Sequence, residues 1–147
     1  MSDFRTTLRT TLEGDSALMT LLTGGVWDAS ELPRDGGGES TFSRETDGVR
    51  LKPMAVIRFR ASSAYSANLL NAERGTLELY FYQDIGYDVI EQAITRSKNL
   101  LNHTFITADD RTLAQLEYSF TSGDVPGAEL SDAACRFVRF AVYEIRT

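Results

Sequence analysis

The chain of 147 residues is poor in the side chains on which most active-site chemistry depends, with one cysteine, Cys135, and one histidine, His103. No disulfide can close within one copy, which is the pattern of a protein kept in a reducing compartment. A structural zinc site takes about four Cys or His ligands, and one chain cannot supply them. The hydroxyls Ser62, Ser63 and Ser66 have no histidine placed in sequence to activate them, which sets nucleophilic catalysis aside. Long apolar runs are missing too: no stretch approaches the roughly 18 apolar residues of a membrane span. The opening Met1-Ser2-Asp3-Phe4-Arg5 lacks the basic-then-apolar layout of a secretory signal. The expectation is a protein that stays where it is made and has no membrane partner. Positive charge is also short, 15 Lys and Arg against 21 Asp and Glu, for a net charge of −6. That balance repels phosphate and argues against a DNA clamp, leaving DNA at most as passing cargo.

What is present is ordinary for a globular domain, 42% apolar and 24% charged residues, so residues 1–147 are read as one domain. Phe4, Leu8 and Leu12 recur every four residues behind Ser2 and Asp3, either able to cap a first turn, and predict an amphipathic helix ending near Gly14. Asp15-Ser16 then caps a second, short helix with Ala17, Leu18, Leu21 and Leu22 on one side, and Gly24-Gly25 supplies its stop. Val26-Trp27 begins something extended. The clearest helix runs from about Tyr87 to Asn102, because Val89, Ile90, Ala93, Ile94, Ser97, Leu100 and Leu101 keep helical spacing throughout.

Strands follow from alternation. In Met54 to Arg60, Ala55, Ile57 and Phe59 face one way and Met54, Val56, Arg58 and Arg60 the other. In Thr76 to Tyr82, Leu77, Leu79 and Phe81 oppose Glu78, Tyr80 and Tyr82, and the two segments are read as an antiparallel pair. The connection from Ser62 to Arg74 is read as a loop, although Tyr65, Leu69 and Leu70 are apolar for one. Leu116, Tyr118 and Phe120 alternate with Glu117, Ser119 and Thr121. Arg136 to Ile145 is apolar on both faces, as a central strand or one that meets a partner would be. Between the segment after the third helix and the strand at Leu116, Asp109-Asp110-Arg111-Thr112 reads as a turn. The fold class expected is α+β: a mostly antiparallel sheet of four to five strands, two main helices on one face, and a long hairpin arm.

That arm, at about 33–53, is polar and glycine-rich, with only Phe42, Val49 and Leu51 apolar. Compact domains seldom carry loops beyond about 12 to 15 residues unless they bind something or are disordered. Its Gly36-Gly37-Gly38-Glu39-Ser40 lacks the lysine and following helix of a phosphate-binding loop, and reads as a flexible arm. Asp84, Asp88 and Glu91 could converge on a hard cation at the start of the third helix. Acids at a helix N-terminus are favourable without any metal, and that reading is preferred. His103 is assigned to the carbonyls at the helix C-terminus, and Cys135 to the interior as a small hydrophobe. Catalytic, cofactor-binding and metal residues are therefore expected to be absent. What remains is the second face of the sheet, where Arg58, Arg60, Glu78, Tyr80 and Tyr82 would be displayed together as a subunit interface, tyrosine with arginine being a mixture enriched at protein contacts.

The run Ala17-Leu18-Met19-Thr20-Leu21-Leu22-Thr23-Gly24-Gly25-Val26-Trp27-Asp28, then a polar arm, then Pro53-Met54-Ala55-Val56-Ile57, resembles the opening of the tail terminator and tail completion proteins of long-tailed bacteriophages. The later order of strand, helix and terminal strands is similar as well. The resemblance implies a homo-hexameric ring in the tail or neck of a virion, assembled in the host cytoplasm. Such a ring caps the tail tube, stops its polymerisation and joins it to a head connector or neck protein. It carries over no catalytic residues. The arm from Arg34 to Gly48 is longer and richer in glycine than the family leads one to expect. Its charged residues Arg34, Asp35, Glu39, Arg44, Glu45 and Asp47, with Glu73 of the second loop, are expected to face the ring lumen or a partner, the acids repelling phosphate so that DNA slides through. Two alternatives stand beside this reading: another head-to-tail joining protein such as a neck or stopper component, and a small metal-dependent hydrolase using Asp84, Asp88 and Glu91.

Overall fold

A computed structural model describes residues 2–28, 52–64, 72–84, 86–108, 111–125 and 134–145. The chain runs α1 (Ser2–Glu13), α2 (Ser16–Leu21), β1 (Val26–Asp28), β2 (Met54–Ala64), β3 (Ala72–Gln83), α3 (Asp88–Leu101), β4 (Phe105–Ala108), β5 (Arg111–Thr121) and β6 (Ala134–Ile145). The strands form one six-stranded sheet in the order β1-β2-β3-β6-β5-β4. β1 pairs with β2 in parallel and every other pairing is antiparallel.

The helices begin and end where the sequence supplies the chemistry. The Asp15 carboxylate accepts the Leu18 N–H at 3.1 Å and caps α2. Past the end of α2, Gly25 takes a φ of +91°, and the Gly24 N–H donates to the Pro53 carbonyl at 2.8 Å, tying the helix exit to the start of β2. At the end of α3, Asn102 is the C-cap and His103 turns the chain with a φ of +59°. His103 thus serves as the left-handed stop, a backbone role at the helix C-terminus where the sequence places it.

All three helices lie on one face of the sheet. Leu8 and Leu12 of α1, Leu18 and Leu22 at α2, and Ile90, Ala93, Ile94 and Leu101 of α3 close over Ala55, Ile57, Leu77, Leu79, Phe81, Leu116, Val138, Phe140 and Val142. Each large aliphatic or aromatic side chain so buried contributes roughly 1.5–3 kcal/mol. The alternation predicted for β2 and β3 is the one observed, and β6 is the central strand its two apolar faces called for, flanked by β3 and β5.

Several expectations are corrected. The sheet has six strands rather than four to five, because the short segment after α3 forms β4 and pairs with β5. Four residues give too few repeats for alternation to register. The second loop is shorter than read: β2 continues to Ala64 and β3 begins at Ala72, so Glu73 is a strand residue opposite Ala64 and Glu144. Small and polar residues there mask a ladder held by backbone hydrogen bonds. The alternation of β5 is broken by an irregularity between Tyr118 and Phe120. The arm from 33 to 51, with Arg34, Asp35, Glu39, Arg44, Glu45 and Asp47, lies outside the described residues, as do Tyr65, Leu69 and Leu70.

Candidate interaction surface

The side chains that point away from the helices begin with a buried end. Met54, Val56, Tyr82 and Cys135 form a second apolar cluster, with Trp27, Tyr80 and Val125 packed against it. Cys135 is a fully buried thiol, the small interior hydrophobe its place just ahead of a strand suggested. Tyr82 is 1% exposed, so it belongs to this interior and is not displayed as expected.

Across the middle of the face the register builds a row. Arg58 of β2 lies opposite Glu78 of β3, Glu78 opposite Arg139 of β6, and Arg139 opposite Phe120 of β5. Glu78 is only 2% exposed, and both Nε and Nη2 of Arg139 donate to its Oε2, at 2.9 and 2.6 Å. A carboxylate at that depth requires such a charge-assisted partner. Glu78 is therefore the buried strut of the face, a second correction to the expected display.

An aromatic ladder runs beside the ion pair. The Arg58 guanidinium lies 4.9 Å from the Tyr80 ring centre, and Tyr80 stacks on Phe137 at 4.9 Å. Phe137 meets Phe120 edge-on at 5.8 Å, while the Arg139 guanidinium sits 4.6 Å over Phe120. Aromatic pairs of this geometry add about 0.5–1.5 kcal/mol each beyond their buried area. Of the predicted interface residues, Arg58, Glu78 and Tyr80 are thus brought together and Tyr82 lies one strand position further on. Arg60 pairs with Thr76 at the level of the backbone.

Sequence reasoning missed the outer part of this face. Phe120 is 39% exposed and Phe105 of β4 56% exposed. Phe105 lies opposite Gln115, and its neighbour Ile106 is buried in the helix-side core, so Phe105 also points to the second face. The missed signal is two large aromatics in short or irregular strands that no layer of the described residues covers.

The helix side is organised differently, by arginine forks. Arg5 donates to Asp28 at 2.8 and 2.7 Å, and Arg96 to Asp15 at 2.8 and 2.6 Å. The Arg96 hydrogen bonds hold the Asp15 carboxyl below its ordinary value, and the same contact raises Arg96. Asp88 is also lowered, chiefly because the Gln83 amide donates to it at 2.8 Å, and Glu91 takes Arg136 at 2.9 Å. Burial, followed by the charge of Asp124, raises the Tyr87 hydroxyl. The three acids considered for a cation thus include two with protein partners. Among the described residues no group of three or more His, Cys, Asp or Glu side chains is arranged to hold a metal ion.

The architecture is that of a helix-on-sheet α+β domain whose opposite sheet face is half buried and half lined with aromatic and arginine side chains. No protein-family model matches the chain, and no curated protein is similar to it in sequence. Among solved structures, a chain of the virion of a native gene transfer agent (GTA) particle shares the fold. The TM-score is 0.61 at 12% identity, over 92% of this chain and 90% of that one.

Proposed function

We propose that the chain is a structural subunit of a phage-like virion, forming a hexameric ring that caps the tail tube, ends its polymerisation and joins it to the head connector. The observation that carries this reading is the fold likeness to a virion chain of the gene transfer agent, which extends over nearly the full length of both chains. It fits a sheet whose second face presents aromatic and arginine side chains, the composition of protein contacts. In this reading the protein acts by contact and not by catalysis, needs no cofactor, and meets DNA only as cargo passing through an acidic ring. Closing such a ring takes a heterologous interface, in which one patch meets a different patch on its neighbour.

Particles made without the protein test the position. Tails of uncontrolled length are expected; tails of normal length that fail to join heads would make it a neck or stopper component instead. Titration calorimetry with magnesium, manganese and calcium tests the absence of metal chemistry. No binding heat is expected, since Asp88 and Glu91 already serve Gln83 and Arg136, and a saturable site would favour the hydrolase.

A further inference from the structure

From the packing of the first helix we infer that α1 is a clasp, through which the two outer strands of the sheet, β1 and β4, open and close as one unit. The strand order puts them at opposite edges. At the usual spacing of about 4.8 Å a flat sheet of six strands would hold them roughly 24 Å apart, yet α1 packs against both. The helix thus links the two edges without passing through the four strands between them. The edges need such a hold, since β1 has three residues and β4 four, and each pairs with one neighbour only.

Both sides of the clasp can be named. At β1, the Arg5 guanidinium donates from Nε and Nη2 to the two Asp28 carboxylate oxygens at 2.8 and 2.7 Å, and lies 4.7 Å over the Phe59 ring. Leu8 and Leu12 enter the same core as Val26 of β1 and Ile106 of β4.

The helix in turn depends on these contacts. Four of its 12 residues are threonine, Thr6, Thr7, Thr10 and Thr11, poor helix formers because the branched side chain loses rotamer freedom. Glu13 stands at the negative end of the helix dipole, and the last turn has no basic residue. Isolated helices below about 12–15 residues are marginal even with the best formers. Weakening the hold at one edge therefore loosens α1, and a loosened α1 releases the other edge, a coupling that is reciprocal. The opening stops at Gly14, because the fork between Asp15 and Arg96 pins α2 to α3, and α3 packs over β3, β5 and β6. Since Asp28 ends β1 and β4 carries the exposed Phe105, a contact made at one end of the sheet changes the hold on the other. This holds with or without a ring, so it stands apart from the proposed role.

Native-state hydrogen exchange of the purified chain, read amide by amide, is the test. The protected amides of α1, β1 and β4 are expected to share one opening free energy, below that of β3 and β6. Asp28→Asn should speed exchange in α1 and, at the opposite edge, in β4 on the order of tenfold, the scale of a lost charge-assisted hydrogen bond, with β3 and β6 unchanged. Arg5→Gln, made from the helix side, should give the same pattern. Ile106→Val, a mild change in β4 that keeps the fold if Asp28→Asn does not, should speed exchange in β1 by a smaller factor. Acceleration confined to the mutated edge overturns the inference, because the edges are then independent. Acceleration equal in all six strands overturns it as well, because α1 then opens only with the whole molecule.

Discussion

Ser97 lies wholly buried on the sheet side of α3, and its hydroxyl has no hydrogen-bond partner among the described residues. A buried polar group without a partner costs about 1–3 kcal/mol, and alanine is also the better helix former. Ser97→Ala is therefore expected to raise the unfolding free energy by about 1 kcal/mol in denaturant titration, with the slope unchanged; a loss of stability would mean the hydroxyl is bonded. Gly24 shows the opposite constraint. A Cβ there would stand 2.8 Å from the Lys52 carbonyl oxygen and 2.9 Å from that of Pro53, both backbone atoms. Gly24→Ala must push α2 away from β2 and should cost at least about 2 kcal/mol, in the range of overpacked cores. Asp15 has two duties, the cap of α2 and the fork with Arg96. Its folded pKa lies below the ordinary 3.8, so its contribution is complete above that value and is lost as pH falls through the folded one. Asp15→Asn keeps the cap and should remove that acid-side loss from a melting-temperature profile. Asp15→Ala loses the cap as well, for about 1 kcal/mol more.

At the level of elements, the start of α3 is held by a residue from another strand. Tyr87, at the N-cap position, makes no side-chain cap. Gln83, at the end of β3, instead accepts the Val89 and Ile90 N–H groups at 3.1 and 3.2 Å and donates to Asp88. Gln83→Ala leaves both amides without their acceptor and is expected to cost about 1–2 kcal/mol, with hydrogen exchange at Val89 and Ile90 accelerated ahead of the rest of the helix. Exchange rising equally along α3 would show that the cap is not local. This contact also marks the limit of what the sequence discloses. The helix itself was legible because six apolar positions together with Ser97 keep its period, and the inward faces of β2 and β3 because they alternate. A cap that arrives from six or seven residues upstream, and from the end of a strand, leaves no signature at the usual capping positions. The same holds for β5: a single irregularity near Ser119 reverses the face of Phe120, and nothing in the residue types around it distinguishes that from continued alternation.

For the whole molecule, the second face was legible in membership and misjudged in exposure. Arg58, Glu78, Tyr80 and Tyr82 do share it, as the period of two requires. Which of them reaches solvent depends on long-range neighbours: Arg139 lies 61 residues from Glu78 along the chain, and Cys135 packs on Tyr82 from β6. The large apolar side chains left exposed are consequently those further out, Phe120 and Phe105. In the proposed ring, subunits of net charge −6 would assemble against mutual repulsion, which is screened over about 10 Å at 0.1 M salt. Assembly on a tube adds a stricter requirement, because a terminator must prefer the end of the tube to its wall. If the proposed role is right, adding the purified protein to polymerising tail tubes should shorten them in proportion to its concentration, and negative-stain images should show added density at one end only. The end preference follows from geometry: subunits within the wall have already spent the surface on which the next ring would sit, and the terminal ring alone still offers it. Density spread along the wall, or tubes of unchanged length at saturating protein, would remove the terminator role while leaving the fold unaffected.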